Sequence, residues 1–442
     1  MENLSKLYVC KFGGSSVATV ESFKKVKEIV SSDPKRRIVI TSAIGKGKKE
    51  DNKITDLLYL LHAHVEYGVN YDNILELIKS RYVVIKEGLN LKIDIEREID
   101  KIISVIKANS IDFLVSRGEY LTALMLSEYL GYEFVDAKDL IKFDYNGKVD
   151  FDKTEEKVNA ILKDKKKVVI PGFYGSYPNG DIKLFSRGGS DISGSIIARS
   201  VKADCYENFT DVDGFYMASP KIVDKPMMIK EITFDELREL SYMGASVIHE
   251  DAIFPIQDLN IPLHILNTFN PKNPGTIINN NVTSTNNIIT GLAGKKGFMA
   301  LNVIKNKNSS KIDVINTVLN TLKKYHVSIE SIPTSIDSFS VVSSETELSK
   351  CMYDILAELK NDPDIEKVSI DSDISLIAVV GRNMVFKPGI SAKIFSVLGN
   401  NHINIKLISQ NTKELSIIIG VENKDFENAI CAIYNGVVTK TK

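Results

Sequence analysis

Short apolar runs alternate with amphipathic stretches over roughly the first 290 residues of the chain. Residues 7–12, 37–42, 111–116, 134–135 and 168–171 read as strands, the one at 111–116 leading into a helical stretch at 120–130. Residues 20–30, 54–67, 74–85, 95–107, 120–130 and 192–201 space their apolar side chains at the helical period. Apolar strands with helices between them predict a parallel or mostly parallel α/β sheet covered on both faces.

The rest of the chain is patterned differently. A polar, turn-rich stretch at 267–287 carries Asn-Pro at 270–271 and 273–274 and reads as a boundary. Beyond it, Leu322-Lys-Lys-Tyr-His-Val-Ser-Ile-Glu-Ser-Ile-Pro-Thr-Ser335 aligns with Leu398-Gly-Asn-Asn-His-Ile-Asn-Ile-Lys-Leu-Ile-Ser-Gln-Asn411, with histidines at 326 and 402. Each copy runs strand, helix, strand, strand, helix. The first has its elements at 300–304, 312–325, 327–332, 339–343 and 348–359; the second at 376–380, 390–398, 403–408, 415–421 and 426–434. This is the pattern of a small ferredoxin-like module present twice.

Composition narrows the function classes. The 442 residues include 56 basic and 57 acidic side chains, for a formal charge of −1. A balance this even argues against bulk-charge binding of nucleic acid or of an anionic membrane, and the lysine-rich run at 163–167 reads as a solvated loop. The four cysteines are scattered without a CxxC pair, so neither a zinc site nor a disulfide framework is expected. No signal-peptide pattern opens the chain and no apolar run approaches a membrane span, which predicts a soluble, cytoplasmic protein.

Four motifs could carry chemistry. Lys11-Phe-Gly-Gly-Ser-Ser16 follows the first strand, where glycines let backbone N–H groups approach an anion and a lysine adds a point charge. It is neither a Walker A loop nor a dinucleotide fingerprint, and alone it is also what an ordinary turn looks like. Ser186-Arg-Gly-Gly-Ser-Asp-Ile-Ser-Gly194 opens a helix, whose N-terminus favours negative charge; Arg187 supplies a planar fork for a carboxylate or phosphate. Thr210-Asp-Val-Asp-Gly-Phe-Tyr216 could face a ribose or a metal, or form an Asp/Gly turn. Ser116-Arg-Gly-Glu-Tyr120 places a glutamate after a strand, where open α/β sheets bind ligands.

Taken in order, these motifs resemble those of the aspartate kinases of the amino-acid kinase superfamily. Gly244-Ala-Ser-Val-Ile-His249 occupies a further family motif, and the repeated modules resemble paired ACT domains. The resemblance covers essentially the whole chain and is to the monofunctional, lysine-inhibited type. It implies a three-layer αβα amino-acid kinase fold with a mostly parallel sheet at 1–290. Two ferredoxin-like (βαββαβ) ACT domains, free to intertwine, would follow at 291–372 and 373–442.

The implied reaction transfers the γ-phosphoryl group of ATP, with Mg2+, to the side-chain carboxylate of L-aspartate. That carboxylate is already ionised at neutral pH, so charge neutralisation matters more than a strong base. The resemblance assigns Lys11 to phosphate bridging and Asp191 to organising that lysine or the magnesium. Gly13, Gly14 and Ser15 would join Lys11 on the phosphates, and Thr210, Asp211, Tyr216 and Lys221 would line the nucleotide. Ser42, Thr55, Glu119 and Arg187 would bind aspartate, with Glu119 on its ammonium and Arg187 on its α-carboxylate. No metal site built from protein ligands alone is implied.

Relatives also imply an effector, lysine, held at Ser328, Ile329, Glu330, Thr334 and Ser335, between ACT units of a homo-oligomer. Dimer and tetramer both stay open. Three positions depart from the family pattern: Ser246 replaces a nucleotide-contacting lysine, Glu250 a proline and Arg117 a histidine. Lys46, Lys48 and Lys49 are candidates to replace the missing lysine. Competing readings are a glutamate- or acetylglutamate-type kinase and a non-catalytic amino-acid sensor; the presence of Lys11 and Asp191 weighs against the latter.

Overall fold

The computed structural model describes residues 6–48, 50–186, 188–245, 248, 250–282, 288–410 and 415–439. The chain opens with β1 (Tyr8–Phe12), α1 (Val20–Ser32), β2 (Arg36–Thr41), α2 (Ile54–Glu66), α3 (Asp72–Gly88), α4 (Ile95–Ser104) and α5 (Ile111–Leu130). It continues through β3 (Glu133–Phe134), α6 (Ala137–Leu140), α7 (Phe151–Leu162), β4 (Val168–Pro171), β5 (Tyr174–Ser176), β6 (Ile182–Leu184), α8 (Gly189–Ser200) and β7 (Cys205–Thr210). Then come β8 (Glu231–Ile232), α9 (Phe234–Tyr242), α10 (Phe254–Gln257), β9 (Leu263–Asn267) and β10 (Thr276–Ile278).

The described chain divides into two compact units. The first comprises Met1–Phe215, Lys230–Phe234 and Val247–Val282. Its eight-stranded sheet has the order β3-β4-β2-β1-β7-β9-β10-β8, and every neighbouring pair is parallel except β9 with β10. From the central β1 the chain builds outward on one side through β2 and β4, then on the other through β7 and β9. The order therefore reverses between β1 and β7, and an open α/β sheet has its ligand crevice beyond the strand C-termini at such a point. Val9, Cys10 and Phe12 of β1 and Val39 and Ile40 of β2 have no exposed surface, as strands covered on both faces require.

One element differs in kind from its sequence reading. Residues 111–116 are not a strand; they are the first turns of α5, a 20-residue helix capped by the Ser110 side chain on the Phe113 amide and ended by Gly131 in the left-handed region. A five- or six-residue apolar run fits a buried helix segment as well as a strand, and here the cap decides. Glu119 thus stands inside a helix, not at a strand end. Part of the stretch expected to be a boundary, Thr276–Ile278, is strand β10.

The second unit comprises Tyr216–Ile229, Asp235–Ser246 and Thr283–Lys442. Its later elements are β11 (Gly291–Lys305), α11 (Lys311–Lys324), β12 (Ser338–Ser344), α12 (Glu345–Lys360), β13 (Ile365–Val380), α13 (Ile390–Asn400), β14 (Leu407–Gln410), β15 (Ser416–Glu422) and α14 (Phe426–Ile433). One antiparallel sheet, β12-β11-β13-β15-β14, serves both sequence copies. The 15-residue β11 and 16-residue β13 run its length, paired from Gly291↔Val380 to Lys305↔Ile365. The first copy uses the far part of β11, beside β12. The second uses the far part of β13, beside β15, together with Gly291–Lys295 of β11.

The repeat reaches the backbone: His326 and His402 both take φ 57°. Leu301, Val303, Val318, Leu322, Val341, Leu348 and Leu359 form the first copy's core. The strand expected at 327–332 is reduced to single bridges, Ser331↔Val342 and Thr334↔Phe339. Helix α9 belongs to this unit through Glu236, which is fully buried and accepts hydrogen bonds from Thr290 Oγ1 at 2.6 Å and from Arg382 N and Nη1 at 3.0 and 2.5 Å.

Candidate active site

Lys11 lies one residue before the end of β1, in register with Asn208 of β7 across the point where the strand order reverses. Its side chain is buried, and Nζ stands 2.5 Å from Asp191 Oδ1. Asp191 comes from the first turn of α8, which starts from Gly188 at φ 73°, a conformation that favours glycine. The Asn208 amide donates to the same Asp191 oxygen at 2.8 Å, and the Tyr206 hydroxyl donates to the Asp191 carbonyl at 2.9 Å. Strand β7 thereby fixes the carboxylate that fixes the lysine. Asn208 was not singled out from the sequence; only strand pairing brings it to Lys11.

The glycine loop after β1 is shaped differently from its simplest reading. The Gly13 N–H is not free, since it donates to the Phe209 carbonyl at 3.1 Å. Gly14–Val17 forms a 3-10 turn, whose leading amides have no partner within the turn. Gly14 and Ser15 are therefore the amides best placed for an anion beside Lys11. The turn packs on the loop after β2, where Gly45 N donates to Gly14 O at 3.0 Å. A Cβ on Gly45 would meet the Gly14 carbonyl carbon at 2.5 Å and the Ser15 nitrogen at 2.8 Å, both backbone atoms. Gly45→Ala is expected to displace the phosphate-facing turn, at a cost of about 1–3 kcal/mol in urea unfolding.

A second group gathers around the same β2 loop. Ser42 N donates to Phe12 O at 3.1 Å, and Ile54 N, at the start of α2, donates to Ile44 O at 3.3 Å. Thr55 follows in the first turn of α2. Glu119 of α5 accepts a hydrogen bond from the Ala43 backbone, while its Oε2 is buried without a hydrogen-bond partner. Desolvation pushes its carboxyl up to about 8, against the smaller opposing effects of the Ala43 and Glu119 backbone groups and of Arg117. An orphaned, buried carboxylate oxygen is suited to a cationic ligand group.

Thr210 closes β7, with its carbonyl accepting from Thr268 N at 2.9 Å and its hydroxyl donating to Asp211 Oδ1 at 3.2 Å. Asp213 Oδ1 accepts from the amides of Asn267 and Asn270 at 2.8 and 3.1 Å, which orients the Asp-Val-Asp-Gly turn. Tyr216 and Lys221 belong to the second unit, where Tyr216 bridges Met228 and Lys221 is exposed. Among the lysine candidates, Lys46 and Lys48 are exposed, and Asp51 Oδ2 holds the Gly47 and Lys48 amides at 3.0 and 2.9 Å. Arg187, Ser246, His249 and Lys49 lie outside the described residues.

Of the expected effector residues, Thr334 and Ser335 border a cavity of about 360 Å3 together with Asn302 and Lys406. Ser328 N donates to Glu347 Oε2 at 2.8 Å, and Glu330 N donates to Val342 O at 2.9 Å. Ser328 and Ile329 are exposed and Glu330 is half-buried; none of these three lines that cavity. Among the described residues no group of three or more His, Cys, Asp or Glu side chains could hold a metal ion, and no helix is long and apolar enough to cross a membrane.

The chain is similar to known proteins along nearly its whole length. The Amino acid kinase family profile matches residues 6–267, and an ACT domain profile matches 377–436. The chain is 32% identical to "Aspartokinase 3" of Bacillus subtilis over 96% of this chain and 97% of that protein. It is 45% identical to the crystal structure of Clostridium acetobutylicum aspartate kinase, with a TM-score of 0.94 over 97% of this chain and 100% of that one. E. coli aspartokinase III in complex with lysine and aspartate (T-state) is 25% identical, with a TM-score of 0.78 over 98% of this chain and 100% of that one.

Proposed function

The chain belongs to the aspartate kinase family, and from that premise we propose that Lys11, held in place by Asp191 and Asn208, binds the phosphoryl group of ATP while Glu119 holds the ammonium of L-aspartate. The enzyme phosphorylates the side-chain carboxylate of aspartate. The observation that carries the residue assignments is the Lys11–Asp191 pair at the β1/β7 reversal, with the orphaned Glu119 oxygen anchored on the loop after β2.

In this arrangement aspartate and ATP, both anionic, are brought together by local positive charge. Lys11 and the Gly14 and Ser15 amides face the transferred group, and neutralise charge that spreads over its oxygens in the transition state. Asp191 keeps the lysine in place and takes no proton from the substrate. Ser42 and Thr55, on the loop and helix beside Glu119, add neutral polar contacts to aspartate. Arg187 carries the α-carboxylate, while Thr210 and Asp211 border the nucleotide. Magnesium fits this donor set as an ion held mostly by the ATP phosphates, with at most a carboxylate or two from the protein. When bound, it supplies further charge neutralisation.

Trapping the acyl phosphate with hydroxylamine in the presence of ATP tests the reading. Aspartate should give hydroxamate and glutamate little or none; folded protein that forms no aspartate hydroxamate would overturn it.

For regulation, we read the second unit as a lysine sensor built on Ser328, Ile329, Glu330, Thr334 and Ser335, supported by the likeness to the lysine complex of E. coli aspartokinase III. Glu330→Ala should raise the lysine concentration for half-inhibition at least tenfold while leaving uninhibited kcat within twofold. Inhibition by threonine in place of lysine would overturn the effector assignment alone. A homodimer formed through the second unit agrees with Ile336, 84% exposed beside Ser335, and Ile408, 48% exposed at the same cavity. Sedimentation velocity distinguishes monomer, dimer and tetramer. The family and the absence of a spanning helix among the described residues agree with a cytoplasmic enzyme.

A further inference from the structure

The arginine that replaces the family histidine, Arg117, is the most unusual buried charge in the first unit. It is 5% exposed. Its guanidinium carbon lies 4.7 Å from the Phe113 ring centre, 4.5 Å from Tyr120 and 5.2 Å from Tyr174. Nε donates to Phe113 O at 3.3 Å and Ser116 Oγ at 3.2 Å, and Nη2 donates to Ser116 Oγ at 2.9 Å. These contacts orient the fork without neutralising it. Among the described residues no carboxylate stands within 4.0 Å of it.

The nearby acids do not pair with it: Asp136 Oδ1 accepts from the Tyr174 hydroxyl at 2.7 Å and Lys138 N at 3.1 Å, Asp112 Oδ2 accepts from Leu184 N at 3.1 Å, and Glu119 feels Arg117 only at longer range, its carboxyl turned to the Ala43 backbone and raised by burial. A buried guanidinium lacking a counter-ion is costly unless something supplies the missing charge.

Arg117 borders a cavity of about 520 Å3 at the start of α5, within the size range of small-molecule sites. Lys138, Asp112, Asp181, Phe113 and Tyr177 line it too, and none of the residues assigned above to aspartate or the nucleotide does. Two cations and two carboxylates in one lining suit a ligand carrying both signs of charge. A dianion such as phosphate would satisfy Arg117 but bring a second negative charge toward Asp112 and Asp181.

We propose that this cavity is a second amino-acid site, in which the α-carboxylate of a free amino acid pairs with Arg117 and Lys138 and its α-ammonium faces Asp112 and Asp181. The planar fork suits a carboxylate bidentately, and the aromatic rings hold that fork ready before the ligand arrives. Phe113 and Tyr177 give the ligand's side chain an apolar wall.

Thermal shift assays with each of the twenty amino acids, and with inorganic phosphate, test this in a Glu119→Gln/Glu330→Ala background that weakens the substrate and effector sites. At least one amino acid should raise the melting temperature saturably. Its Kd, measured by calorimetry, should rise at least tenfold with Arg117→Gln and at least threefold with Lys138→Glu. Lys138 is exposed, so that variant decides the matter if Arg117→Gln does not fold. No saturable shift, a Kd indifferent to both changes, or displacement of the amino acid by equimolar phosphate would each overturn the proposal.

Discussion

Lys11→Met should lower kcat for aspartate phosphorylation by about 10²–10³-fold, the usual effect of removing one preorganised charge-stabilising donor. The geometry makes the loss hard to repair. Lys11 is 7% exposed, and its Nζ is held 2.5 Å from Asp191. The other described lysines considered for the nucleotide, Lys46, Lys48 and Lys221, are all exposed. The methionine also leaves Asp191 without its cation, which should cost about 1–3 kcal/mol of stability.

Adding Asp191→Asn to Lys11→Met removes that stranded charge, so stability should recover while kcat does not. Hydroxamate assays at saturating ATP and aspartate, with urea melts of both variants, separate the two effects. A Lys11→Met enzyme with near wild-type kcat would remove Lys11 from the phosphate. Recovery of activity in the double variant would point instead to damage caused by the unpaired carboxylate.

The parts of this site that were legible in the sequence are those written locally. Lys11 and its glycines follow an apolar strand, and Asp191 follows a glycine pair at a helix start; each motif spans fewer than ten residues. Asn208 was invisible because its role depends on β1 pairing with β7, strands separated by nearly two hundred residues of chain. The Phe209 carbonyl that occupies the Gly13 amide arrives by the same non-local pairing. Residues 111–116 misled for a different reason: a short apolar run has no period long enough to distinguish strand from helix, and the Ser110 cap is a single-residue signal.

In the second unit, polar interruptions hid the long strands. Lys295-Lys-Gly297 falls where the β11–β13 register shifts, and Asp371-Ser-Asp373 is its counterpart on β13. Each strand therefore read as a short one belonging to a single copy. The duplication itself was clear because Leu322–Ser335 and Leu398–Asn411 align around histidines at 326 and 402 within the same order of elements, and the two histidines then share a left-handed backbone.

Glu119→Gln should raise KM for aspartate by about 10–100-fold, the worth of one charge-assisted hydrogen bond, yet make the protein more stable. Both effects follow from one burial. With the carboxyl pushed up to about 8 by desolvation, the unliganded enzyme near neutral pH holds Glu119 mostly protonated. Binding the substrate ammonium favours the ionised form, so a proton must leave. KM should therefore fall as pH rises toward 8, approaching tenfold per unit below that value, and glutamine should abolish this slope.

For stability the sign is opposite. Below the ordinary glutamate value of 4.5, the folded and unfolded chains both hold this proton; between 4.5 and about 8 the unfolded chain releases it and the folded one keeps it. The unfolded state then binds fewer protons, and unfolding free energy falls as pH rises across that window. Glu119→Gln removes the loss, so the variant should gain a few kcal/mol over wild type at pH 8 and little at pH 4. Urea melts at the two pH values, paired with aspartate KM measured from pH 6 to 8.5, test both signs. A variant equally destabilised at both pH values, with an unchanged pH slope in KM, would mean that Glu119 is an ordinary structural carboxylate. A raised KM with a stability gain confined to high pH would place the cost of burial and the binding of substrate on the same oxygen.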